Sequence, residues 1–213
     1  SEVMSSIYLD HAATTPIAPE VFETFKNLLV EQPVANSSSS HQDGVRAAAL
    51  LNQARETVAK KLGVSAGEIV FTSGGTEGNN WILQRVIEDA SRAMAPKGQK
   101  PHLITSSIEH SSIVNVAQWL KASGLADWSE LPVESDGRVN LKTLESAILP
   151  NTVLVSIAHG NNEIGTIQPL KEIGQIVKAR GALLHTDAVQ GVGKIPFDVN
   201  DVQADLVSLT AHK

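Results

Sequence analysis

Short apolar runs alternate with stretches of helical period at least five times along this chain, and each run empties into small or polar residues. Strands and helices in that order build βαβ units, so the pattern predicts an α/β fold with a mostly parallel sheet sandwiched by helices. Strands are expected at residues 69–72, 102–106, 152–158, 183–186 and 206–209, with a short strand and turn at 131–137. Helical periodicity covers residues 19–30, 41–62, 113–120, 141–149 and 173–179, and a further helix is expected over 79–95. Gly63 and Gly181 serve as helix stops. The 213 residues suffice for one domain or one and a half. The first 16 residues lack a partner in this scheme and are expected to pack on a second, small domain, leaving residues 17–213 as the large domain.

Ligands of open α/β sheets sit beyond the carboxyl ends of the strands, so the strand-to-helix junctions are where chemistry is sought. Ser73 to Asn80 offers glycines, a Thr76 hydroxyl and a following helix, a phosphate cradle or simply a tight βα turn. His110 begins the helix after the second run, as a site residue or a cap. Asn161 and Asn162 follow the most apolar run, as ligand donors or an Asn-rich turn. Asp187 and Gln190 follow the next run, and Thr210, His212 and Lys213 follow the last. An acid and an amine facing one crevice suit pyridoxal phosphate, the amine holding the aldehyde and the acid holding the ring nitrogen protonated. Asp187 as a mere strand end and Lys213 as a solvated lysine is the competing reading.

Composition narrows the class. With 23 acidic against 17 basic residues and no cationic run, a nucleic-acid surface is not expected. No apolar stretch of about 18 residues suggests a membrane span. The first residues lack the charged and apolar regions of a signal peptide, so the cytoplasm is the expected location. There is no cysteine, which removes disulfides, thiolate metal sites and a cysteine nucleophile from these residues. The seven histidines are scattered without metal-ligand spacing, and no metal is expected.

Several motifs in order resemble one family. Tyr8-Leu-Asp-His-Ala-Ala-Thr-Thr-Pro16, Phe71-Thr-Ser-Gly-Gly-Thr-Glu-Gly-Asn79, Glu109-His110, Asn161-Asn-Glu-Ile-Gly165, His185-Thr-Asp-Ala-Val-Gln190 and Ala211-His-Lys213 are similar to the NifS/IscS-like cysteine desulfurases, class-V aminotransferase-like enzymes of pyridoxal phosphate fold type I. The resemblance implies that Lys213 carries the cofactor, Asp187 pairs with its ring nitrogen and Gln190 contacts its phenolic oxygen. It implies that His110 stacks on the ring and moves protons. Thr76, Thr210 and His212 would hold the phosphate with the backbone of Gly75 close by, and Asn162 would lie near the substrate carboxylate and the cofactor oxygen. L-cysteine as substrate, a sulfur-acceptor protein and a homodimer are implied as well. The chain departs from the family in having no persulfide cysteine, in ending at Lys213 with an incomplete large domain, and in reading Ala35-Asn36-Ser37 in the serine-rich loop. Selenocysteine lyase, cyst(e)ine C–S lyase and a non-catalytic scaffold of the same fold are the alternatives. A nucleotide-binding domain using residues 73–79 leaves the other motifs unexplained.

Overall fold

A computed structural model describes residues 7–30 and 35–213. The expectations for the first 16 residues and for the 33–40 loop therefore fall in part outside the described residues. Contacts divide the chain into two compact units, one of residues up to Phe71 with His212 and Lys213, the other of Thr72–Ala211.

The first unit holds α1 (Pro19–Val30) and α2 (Gln42–Leu62). In α1, Val21, Phe22, Phe25, Leu28 and Leu29 recur with the expected period, and all of them are exposed. His41 caps α2 by accepting from the Gly44 amide at 3.3 Å, and Gly63 ends it at φ 70°, a left-handed turn that glycine adopts without strain. Residues 69–72 were expected as a strand but carry no ladder pairing among the described residues. An apolar run becomes a strand only where a neighbour accepts its backbone groups.

The second unit is a five-stranded sheet in the order β2-β1-β3-β4-β5, every neighbouring pair parallel. Its elements in chain order are α3 (Gly75–Met94), β1 (His102–Ser106), α4 (Ser111–Ala122), β2 (Asp127–Leu131), α5 (Leu141–Ala147), β3 (Thr152–Ser156), α6 (Leu170–Ala179), β4 (Leu183–Asp187) and β5 (Leu206–Ser208). Alternating strand residues feed opposite faces. Leu103 and Leu154 pack with Leu83, Ile87, Ile113 and Leu120 from α3 and α4, whereas Ile104 and Val155 pack with Leu144, Ile173 and Val177 from α5 and α6. A sheet covered on both sides requires apolar residues on both faces, and this explains the adjacent apolar pairs Leu103-Ile104 of β1 and Leu154-Val155 of β3.

Two elements differ from expectation. The strand foreseen at residues 131–137 lies at Asp127–Leu131, and only a bridge between Val133 and Val139 follows it. Helix α3 begins four residues before the expected start. Its first turn holds two glycines but needs no intrahelical N–H partners, and the Glu77 carboxylate accepts from the Ser73 amide just ahead of it. The chain turns one way from β1 to β2 and the other way from β1 to β3. That reversal makes a topological switch point, with a crevice expected beyond the carboxyl ends of these strands.

Candidate functional site at the strand ends

The carboxyl ends of β1, β3 and β4 each deliver buried polar groups. Asp187 closes β4 and is buried, with its two carboxylate oxygens held separately. Asn79 of α3 donates from Nδ2 to Oδ2 at 2.8 Å, and the Val189 amide donates to Oδ1 at 3.0 Å. Each oxygen keeps a further lone pair, so the acid is fixed in orientation and can still accept from a ligand.

Asn79 stands one turn below Leu83 and two below Ile87 on the buried stripe of α3. The same Nδ2 donates to Ser112 Oγ at 2.9 Å, and Ser112 Oγ lies 2.8 Å from His110 Nδ1. His110 also caps α4, its Nδ1 accepting from the Ser112 amide at 3.1 Å. One chain of hydrogen bonds thus joins the acid after β4 to the imidazole after β1. Neither Asn79 nor Ser112 was singled out from the sequence. A polar residue in the i+4 row of an apolar helix stripe was the available signal, because a buried amide must find partners.

The start of α3 meets the same place. A Cβ on Gly75 would sit 2.9 Å from Val189 Cγ2, so a small residue here lets the helix N-terminus approach the segment that holds Asp187. Exposed Thr76 follows in the first turn, where free amides and the helix dipole favour an anion. Gln190 is next to Val189, and its Oε1 accepts from Lys194 at 3.1 Å. Thr210 is half-buried just past β5. Asn162 is exposed, whereas its neighbour Asn161 is engaged in the turn, accepting from the amides of Glu163 and Ile164 and donating to the Ile108 carbonyl. His212 and Lys213 belong to the first unit, where the His212 carbonyl accepts from the Thr15 amide at 2.9 Å and its Nδ1 lies 3.2 Å from Thr14 Oγ1. Among the described residues no group of three His, Asp or Glu side chains is arranged to hold a metal ion.

Glu109 sits at the switch point. Its Oε1 accepts from Ser106 Oγ at the end of β1 and from the Ala158 amide beyond β3, while Oε2 is buried with no partner among the described residues. Burial raises this carboxyl to about 7 against the pull of the Ser106 and Ala158 bonds, with Asp187 adding to the rise. His185 spans β3, β4 and β5, with Nδ1 2.8 Å from Ser156 Oγ and Nε2 3.0 Å from Ser208 Oγ. Burial pushes it down to about 3, so it is a neutral bridge.

These two groups act on stability in opposite directions. Glu109 holds a proton in the native state between pH 4.5 and about 7 that the unfolded chain releases, so its contribution is full below 4.5 and lost as pH rises to about 7. His185 stays neutral where the unfolded chain is protonated, and stability falls as pH drops from 6.5 toward about 3. At about 1.4 kcal/mol per pH unit, Glu109→Gln is expected to gain on the order of 3 kcal/mol relative to wild type between pH 4.5 and pH 7.5. Urea unfolding of both proteins at each pH checks this, and a constant difference would show that Glu109 is ionised in the fold.

A family model described as aminotransferase class-V matches residues 7–213. Cysteine desulfurase IscS of Dictyoglomus turgidum is 42% identical over 207 residues, which cover 97% of this chain and 50% of that protein. Cysteine desulfurase of Mus musculus is 42% identical over 211 residues, covering 99% of this chain and 44% of that one. Among solved structures, a NifS-like protein superposes with a TM-score of 0.88 at 39% identity, over 97% of this chain and 55% of the other. SspA in complex with cysteine gives 0.86 at 38% identity, over 97% and 57%. The chain spans about half the length of the curated relatives it matches.

Proposed function

The chain belongs to the class-V aminotransferase family, and from that premise we propose that it is part of a pyridoxal phosphate-dependent cysteine desulfurase. The observation that carries this reading is Asp187, buried at the end of β4 with each oxygen held by one donor and open to one more. A fixed buried carboxylate fits a protonated ring nitrogen, and the Gly75 approach with the first turn of α3 fits a phosphate dianion. The names of the relatives and a neighbour solved with cysteine support the substrate.

Pyridoxal phosphate, when bound, supplies an electron sink for charge that develops at the substrate α-carbon. Asp187 would keep the ring nitrogen protonated. Gly75, Thr76, Thr210 and His212 would hold the phosphate, Gln190 would donate to the phenolic oxygen, and Asn162 would orient the substrate carboxylate. Lys213 would hold the cofactor aldehyde, and its amine, when free, would take the α-proton. His110 would lie against the ring. Overall, the C–S bond of cysteine breaks, a thiol outside these residues gains the sulfur as a persulfide, and alanine leaves. Iron–sulfur cluster or thio-cofactor assembly would consume that sulfur. Residues 1–16 go with a small domain and residues 17–213 with the cofactor domain. A cytoplasmic homodimer is the setting that fits, and among the described residues no helix is long and apolar enough to cross a membrane.

Incubation of the purified protein with pyridoxal phosphate, L-cysteine and a thiol tests the reading. Alanine with an equal amount of sulfane sulfur is expected. Pyruvate and ammonia would assign a C–S lyase instead, and no reaction with either L-cysteine or L-selenocysteine would favour a scaffold.

A further inference from the structure

We propose that Ser112, with its hydroxyl oriented by Asn79, locks His110 as the Nε2–H tautomer, so that the ring offers its neighbours a proton-bearing nitrogen and no lone pair. Asn79 Nδ2 is 2.8 Å from the acceptor-only Asp187 carboxylate, which fixes that amide with its nitrogen toward the acid. The same nitrogen lies 2.9 Å from Ser112 Oγ, so the hydroxyl oxygen accepts there. Its single hydrogen is then free for His110 Nδ1, 2.8 Å away. The Ser112 backbone amide, a donor by necessity, also points at Nδ1 from 3.1 Å.

Two donors converge on one ring nitrogen, and a hydrogen on Nδ1 would face the amide hydrogen directly. That arrangement would leave a first-turn amide of α4 without its acceptor. The neutral ring therefore carries its proton on Nε2. Asn79 and Ser112 are positioning residues acting through His110. If the function proposed above holds, His110 donates a hydrogen bond in the resting enzyme and does not take the α-proton, a task left to the Lys213 amine.

Long-range proton–nitrogen spectra of the protein labelled with 15N-histidine read the tautomer directly, with His110→Gln assigning the signals. A pyridine-type Nδ1 and a pyrrole-type Nε2 are expected with or without pyridoxal phosphate, and the reverse pattern overturns the lock. Asn79→Ala frees the hydroxyl to turn, so its bond to Nδ1 weakens and the Nδ1 shift should move while the backbone amide keeps the proton on Nε2; an unchanged Nδ1 shift would remove Asn79 from the lock. If that variant does not fold, Ser112→Ala gives the same readout, and the wild-type spectrum decides by itself. An Nε2–H ring in a protein that takes no pyridoxal phosphate sinks the proposed function and keeps the lock. An Nδ1–H ring in a protein that takes it does the opposite.

Discussion

Asp187→Asn is expected to slow alanine formation from L-cysteine by roughly 10²–10³-fold, the loss typical when one preorganised electrostatic partner is removed. The substitution keeps size and one acceptor oxygen, but the new amide nitrogen must face either the Asn79 amide or the Val189 N–H, both of them donors. One donor pair is left opposed, at a cost of about 1–3 kcal/mol, which urea unfolding measures separately from the rate. The charge that stabilises a ring cation is also gone. Wild-type turnover in a folded Asp187→Asn variant would mean that this carboxylate supports the fold and nothing more.

Leu154→Ala should lower stability by about 2–5 kcal/mol, because it opens a cavity that the central strand cannot close. Leu154 is completely buried on β3, paired in register with Leu103 of β1 and packed in the cluster that holds Leu83 and Ile87 of α3. Against a total stability of about 5–15 kcal/mol, the cost is a large fraction. Leu183, its register partner on β4, is 39% exposed, and Leu183→Ala should cost about 1 kcal/mol or less. Urea midpoints of the two variants compare the positions on the same sheet. Equal losses would contradict a core divided by this strand.

Strands β1 and β4 were legible in the sequence because each carries adjacent apolar residues that a sheet covered on both faces can bury. The 102–106 run became β1 over the same residues, and 183–186 became β4 with one residue more. β2 was not legible: Asp-Trp-Ser-Glu-Leu has no apolar period, and it is a strand because the edge of β1 offers it a parallel ladder. Residues 69–72 show the reverse case, with strand-like side chains and no ladder. In the site, Asp187 and His110 could be located because strand ends are where an α/β sheet exposes polar groups. Asn79 and Ser112 could not, since their bonds join residues 33 and 108 positions apart and no local pattern encodes such a meeting. Glu109 was visible only as the neighbour of His110. Its closeness to the Ala158 amide depends on β1 and β3 being adjacent, a fact of topology.

The claim that these strand ends receive pyridoxal phosphate, with Lys213 as its anchor, is tested most directly by borohydride reduction of the cofactor-loaded protein followed by peptide mass mapping. One pyridoxyl phosphate adduct on Lys213, with no adduct at the same cofactor ratio in Lys213→Ala, is the predicted result. Label scattered over surface lysines such as Lys97 and Lys100, or no label at all, would contradict it.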